Sequence, residues 1–260
     1  MNLSHAVMTR LEKAATDNGF DLACPGEGDW LSFASSQTRM RIWLSALGDS
    51  LYRVAFSRWD VFEALSEYGI PLQNPLPTGS PAARSVGDVA SLHRLIRRAF
   101  QLSRSLPDEP LHVFLKQTAT LPKTTEAERL VVQRVGQNVF RNGLLDYWEG
   151  ACAITGLVIT ELLRASHIKP WADCETDAER LDVFNGLLLA PHLDAAFDGG
   201  FITFDDAGMV IESDLLDLKS IGILGFDRSL QLRRINDKHR HFLTWHRKMV
   251  FRSIAFQSIK

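Results

Sequence analysis

No apolar run in this 260-residue chain approaches the length of a membrane span. The first residues, Met1-Asn2-Leu3-Ser4-His5, lack the basic-then-apolar pattern of a secretory signal. The three cysteines, Cys24, Cys152 and Cys174, are odd in number, far apart and form no CxxC pair. They therefore indicate neither a disulfide framework nor a structural zinc site. These features lead us to expect a protein of the reducing cytoplasm with no membrane partner. There is no internal repeat, no low-complexity stretch and no glycine-rich phosphate-binding loop, which argues against a solenoid or a nucleotide-binding switch.

Charge is unevenly spread. Residues 1–120 carry 12 basic and 12 acidic side chains, residues 121–227 carry 8 and 18, and residues 228–260 carry 9 and 1. An acidic middle suits a cation site and a basic tail suits a polyanion, although a charge run by itself is commonly just a solvated face. The tail set comprises Arg228, Arg233, Arg234, Lys238, Arg240, Arg247, Lys248, Arg252 and Lys260.

The patterning predicts an α+β protein. A helix is expected over 3–18, with Leu3, Val7, Leu11 and Ala14 or Ala15 on one face. Alternating segments at 30–34, 40–44 and 51–56 predict a three-stranded antiparallel sheet, with Ser35-Ser36-Gln37 and Gly48-Asp49-Ser50 as turns and a short helix near 59–68. Residues 69–88, with four prolines and three glycines, read as a linker or long loop. A helix over 88–106 presents Arg94, Arg97, Arg98 and Arg104. Thr125 to Glu128 forms a capping box opening a helix to about Trp148, whose expected buried side is Leu130, Val131, Val135, Val139, Leu144 and Leu145. Then come a short strand at 151–154, a second strand at 162–168, a buried run at 187–190, a helix from Pro191 to about Asp198, a hairpin at 201–211 and a last helix at 236–253. The order of the middle part is ββα. We expect two domains, 1–120 and 121–260.

The chemistry concentrates in Ala165-Ser166-His167-Ile168-Lys169-Pro170-Trp171, Asn185-Gly186-Leu187-Leu188-Leu189, and Asp194 with Phe197-Asp198. Together with Gly136-Gln137, Phe140-Arg141, Leu144-Leu145, Cys152, Thr155-Gly156 and Gly200, these residues resemble the restriction-type branch of the HNH nuclease family over roughly 125–212. The likeness extends to Trp245-His246-Arg247 and Phe251. It implies a ββα-metal nuclease domain that hydrolyses phosphodiesters of double-stranded DNA to 5′-phosphate and 3′-hydroxyl ends. In that reading His167 is the general base, Asn185 holds the loop and the base in place, and Asp194 and Asp198, one helical turn apart, bind Mg²⁺ or Mn²⁺. Two departures stand out. Ser166 occupies a position where many members carry an Asp or His ligand, and the CxxC pairs of the zinc-binding members are missing, so no structural zinc is expected. His192 reads as a helix-surface residue, His239, His241 and His246 as surface or DNA-facing, and Trp148, Trp171 and Trp245 as core. Arg233, Arg234, Arg247 and Lys248, with Arg94, Arg97 and Arg98, are the candidate phosphate contacts. Residues 1–120 would supply targeting in a restriction or defence nuclease, and two-strand cleavage by one site suggests a homodimer. The alternatives are a non-catalytic DNA- or partner-binding protein on a degenerate HNH scaffold, or a nuclease acting on RNA or as a toxin.

Overall fold

The computed structural model describes residues 3–48, 50–73, 75–122, 124–225 and 230–253. Met1, Asn2, Asp49 of the expected turn, and Arg228 and Lys260 of the basic tail lie outside the described residues. The chain divides into two compact units, residues 1–109 and 110–260.

The first unit begins with α1 (His5–Thr16), whose N-cap Ser4 accepts a hydrogen bond from the Val7 N–H. The helix buries Val7, Leu11, Ala14 and Ala15, the face its periodicity specifies. Strands β1 (Leu22–Glu27), β2 (Trp30–Ala34), β3 (Arg41–Leu47) and β4 (Leu51–Phe56) form an antiparallel meander. Helix α2 (Trp59–Ala64) follows, then β5 (Ile70–Leu72), β6 (Ala82–Val86) and α3 (Val89–Ser105). The sheet has six strands in the order β1-β2-β3-β4-β6-β5, not three. The segment expected to be a linker supplies two of them. Its prolines misled because Pro71 sits on the edge strand β5, where a missing N–H is tolerated. Strand β6, Ala-Ala-Arg-Ser-Val, has no apolar alternation, yet it is buried throughout. Arg84 enters the core by lying over the Phe62 ring and donating to the Phe62 carbonyl. Helices α1, α2 and α3 pack on the sheet, which buries Ile42, Leu44, Val54 and Phe56.

Helices α4 (Glu109–Thr118) and α5 (Glu126–Tyr147) lead into the second unit. Thr125 and Glu128 make the expected capping box. The buried stripe of α5 is shifted towards its C-terminal part: Gly136, Val139, Phe140, Gly143, Leu144 and Tyr147 are inside, while Leu130 and Val131 are exposed. Small residues decide this. An added Cβ at Gly136 would stand 2.5 Å from the Trp171 ring, and one at Gly143 would stand 3.1 Å from Val183. The backbone of α5 thus lies close to the segment that follows the site histidine.

The ββα order is present with different strands. Residues 151–154 form a buried turn, since Gly156 (φ +73°) folds the chain back at once and its N–H donates to the Cys152 carbonyl. The two strands are β7 (Arg164–His167) and β8 (Gly186–Leu189), paired antiparallel with Ser166 opposite Leu187 and His167 opposite Gly186. The connection between them holds a short helix, α6 (Asp177–Leu181). Helix α7 (Pro191–Asp198) follows, with Pro191 in its first turn. The hairpin β9 (Ile202–Phe204) and β10 (Val210–Glu212), a further short helix α8 (Leu218–Leu224) and α9 (Asp237–Met249) complete the unit. Of the described residues, 43% are helical and 20% lie in strands, and every ladder among them is antiparallel, so the class is α+β.

A Cβ at Gly186 would meet Phe140 at 2.4 Å and Leu144 at 2.9 Å. Gly186→Ala should therefore destabilise the protein by about 1–3 kcal/mol through overpacking, read as a lower urea midpoint at unchanged m-value.

Candidate active site

Adjacent residues of a strand point to opposite faces, and β7 places Ser166 and His167 side by side. The Ser166 side chain is buried and donates to Asp198 Oδ1 at 3.0 Å. The Asp194 carboxylate is drawn to the same hydroxyl. One O–H cannot satisfy two carboxylates at once. Burial raises the pKa of Asp194, and burial together with the Asp194 charge raises that of Asp198. Helix α7 thus carries two neighbouring acids, Asp194 half-buried and Asp198 with an open edge to solvent, that share one proton donor. Hard oxygen donors short of hydrogen-bond partners fit a divalent cation such as Mg²⁺ or Mn²⁺. Among the described residues no group of three or more His, Cys, Asp or Glu side chains gathers, so the third member of this set is a serine.

His167 is held on the other side. Its ring stacks on Phe140 of α5 at 3.8 Å and 12°, and meets Trp171 edge-on at 5.7 Å. Its Nε2 lies 2.9 Å from the carbonyl of Arg180. A carbonyl only accepts, so Nε2 carries the hydrogen and Nδ1 holds the lone pair. Burial lowers the pKa from 6.5 to about 4, and the carbonyl contact offsets only part of that. At neutral pH the ring is an uncharged imidazole.

Asn185 is fully buried. Its Oδ1 accepts from the Lys169 N–H at 2.8 Å, while Nδ2 faces the carbonyls of Lys169 (3.1 Å) and Glu179 (3.2 Å) and the Cys174 sulfur (3.3 Å). Every polar atom of its amide is used within the β7–β8 connection. The side chain touches no open space, and its effect is on the loop that presents the Arg180 carbonyl.

Ser166, His167, Trp171, Asp198 and His246 share the lining of one cleft of roughly 380 Å³, while Asp194 stands beside it. His246 corrects an expectation. It is buried rather than DNA-facing, with Nδ1 3.0 Å from the Thr203 hydroxyl, Nε2 3.2 Å from the Phe197 carbonyl, and its ring stacked on Phe197 at 4.0 Å. His239 is also inside, among Tyr147, Trp148 and Phe184, whereas His241 and His192 are exposed. Of the tryptophans, Trp148 is fully buried, and Trp171 and Trp245 are partly so.

The candidate phosphate contacts differ among themselves. Arg234 is paired with Glu149 and donates to the Tyr147 carbonyl. Arg247 is bound to Asp206 and to the Phe204 carbonyl. Arg233 and Lys248 are exposed. In the first unit Arg97 donates to Asn18, Arg98 is buried and Arg94 is exposed. Sequence reasoning overlooked Phe140 and Trp171 as the walls of the histidine, and the Arg180 carbonyl as its partner. The stacking pair has no local signal, because Phe140 lies 27 positions before His167.

An antiparallel strand pair joined to a helix, carrying a neutral histidine on the strand and an acid pair on the helix, is a ββα arrangement. Residues 152–205, which contain all of these elements except α5, match the family model described as HNH endonuclease. An HNH domain therefore lies in the C-terminal part of the chain. No curated protein matches the chain.

The buried histidines set a pH dependence. His167 and His246 have pKa values lowered to about 4 and His239 to about 3, all chiefly by burial, against 6.5 for the ordinary side chain. Between about pH 6.5 and pH 4 the unfolded chain binds protons that the folded one refuses, so stability should fall as pH drops through that window. The slope is up to about 1.4 kcal/mol per pH unit for each histidine. Asp194 and Asp198 act oppositely: their raised pKa values make the folded state the better proton binder above 3.8. Asp198→Asn should accordingly raise the melting temperature of metal-free protein at pH 7. Melting curves between pH 4.5 and 8 test both statements, and a flat profile for the wild type would contradict the first.

Proposed function

We propose that this chain is a metal-dependent DNA endonuclease of the restriction or defence type, with the chemistry in residues 121–260 and targeting in residues 1–120. The observation that carries this reading is the short strand β7. It holds a neutral histidine, and beside it a serine bonded to Asp198, all three at one cleft, with the second acid, Asp194, one helical turn away on α7.

His167 Nδ1 would take the proton of the attacking water, since Nε2 already donates to Arg180. An uncharged imidazole at neutral pH is ready for that step without first losing a proton. Phe140 and Trp171 fix the ring plane, and Asn185 fixes the loop carrying the Arg180 carbonyl, so the tautomer and direction of the base are set before substrate arrives. Asp194 and Asp198, with Ser166 beside them, would hold a divalent cation that offsets charge on the phosphate and on the departing 3′ oxygen. Arg233 and Lys248 remain available for duplex phosphates.

A second reading has one observation in its favour: a serine completes the acid pair, where a third charged or imidazole ligand would make a stronger cation site. On that reading the domain binds nucleic acid without cutting it. Incubation of supercoiled plasmid with Mg²⁺, Mn²⁺ or EDTA separates the two, and parallel reactions on single-stranded DNA and RNA define the substrate. We expect nicking in Mn²⁺ and none in EDTA. His167→Ala should lower the single-turnover rate by about 10²–10⁴-fold while the circular dichroism spectrum is unchanged. Asp194→Ala should weaken Mn²⁺ binding in calorimetric titration more than Asp198→Ala does. A well-folded His167→Ala protein that cuts at the wild-type rate would remove the histidine from the mechanism.

A further inference from the structure

One cation near the acid pair has no role in the mechanism above. Arg164 is two residues before Ser166 on β7, so the two side chains leave the same face of the strand. That face looks towards α7, because Ser166 bonds Asp198 there. The field of Arg164 is felt at Asp194, where it favours the charged form.

Arg164 is exposed. Its hydrogen bonds run from one nitrogen to the carbonyls of Glu161 and Leu163, both at 3.3 Å. Among the described residues it makes no ion pair with a carboxylate. Its neighbours in the same unit are differently placed: Arg180 pairs with Asp177, Arg234 with Glu149, Arg240 with Asp237 and Arg247 with Asp206. Arg141 spends two nitrogens on 2.8 Å bonds that hold the 160–163 turn. Arg164 is thus an exposed, weakly held cation on the strand face of the acid pair.

Charge balance gives this position a use. A phosphodiester carries one negative charge, and the acid pair carries two. A divalent cation offsets the pair and leaves the phosphate charge uncompensated, and that charge grows as the attacking oxygen adds to phosphorus. A planar guanidinium with free N–H groups matches two phosphate oxygens at once, which an ammonium group does not.

We propose that Arg164 binds the non-bridging oxygens of the scissile phosphate and holds that phosphate between the acid pair on α7 and the base on β7. The proposal rests on the nuclease reading above. It also names the substrate contact on β7 as a phosphate contact, so Arg164 would act on any sequence and leave recognition to other parts of the chain.

The test compares wild type, Arg164→Gln and Arg164→Lys. Single-turnover cleavage is measured at saturating duplex, duplex binding is measured in Ca²⁺ at several salt concentrations, and Mn²⁺ binding is measured by calorimetry without DNA. Arg164→Gln should cut about 10²–10³-fold more slowly at saturation, the usual effect of removing one donor that stabilises a transition-state charge. Arg164→Lys should fall between the two. The slope of log K against log salt should flatten by roughly 0.9 in Arg164→Gln. Mn²⁺ affinity should be unchanged or higher, because a positive neighbour of the acid pair has been removed, and a merely structural role would not give that sign. An active wild type with an Arg164→Gln variant that cuts within about twofold of it overturns this proposal and leaves the nuclease reading standing. Loss of Mn²⁺ binding in Arg164→Gln also overturns it, by showing that the site itself has collapsed. A wild type that cuts no nucleic acid under any of these conditions overturns both readings.

Discussion

The site depends on one buried amide. Asn185 ends the β7–β8 connection and is fully enclosed, and its side chain bonds the backbone at Lys169, the carbonyl of Glu179 and the sulfur of Cys174. A buried amide left without partners costs about 1–3 kcal/mol per unsatisfied group, so the loop can close in few ways that keep all of these contacts. The closed loop delivers the Arg180 carbonyl to His167, and that contact chooses the ring tautomer. Position and protonation of the histidine are both set from the far side of the loop.

Around this anchor the strand geometry divides labour. Ser166 and His167 are neighbours in sequence and face different partners, α7 for one and α5 for the other. The two faces also have opposite electrostatic character. Burial keeps His167 neutral, and burial also raises the pKa of both acids, with the Asp194 charge adding to the rise at Asp198. A partly buried carboxylate pair of this kind opposes folding, and burial of Leu187, Leu188, Leu189, Leu193 and Phe197 on β8 and α7 offsets that cost. Local destabilisation of this sort is common where a protein holds groups ready for a charged ligand.

The C-terminal helix supports the site as well as presenting the exposed Lys248. His246 joins α9 to the Phe197 carbonyl at the end of α7 and to Thr203 on β9. Arg234 and Arg247, expected to face a polyanion, are engaged with carboxylates and carbonyls of their own unit. Counting charges along a sequence cannot separate such arginines from free ones, because their partners, Glu149 and Asp206, lie 85 and 41 positions away.

Much of the second unit was legible in the residues. The Thr125 to Glu128 capping box, Pro191 at a helix start, the glycine-ended hairpin after Phe201 and the His167, Asn185, Asp194, Asp198 series all rest on local chemistry or on spacing, which a linear reading preserves. The six-stranded sheet was only half legible, since β6 lacks the alternation that marks a strand and is a strand because β4 and β5 bond it on both sides. The sequence by itself determined that His167 lies on a strand and that one helix turn brings Asp194 and Asp198 together. Tertiary structure decided the state of each group. Phe140 buries His167, Ser166 is shared by two acids, and Arg164 is left exposed, and each of these depends on contacts between segments that the chain order keeps apart.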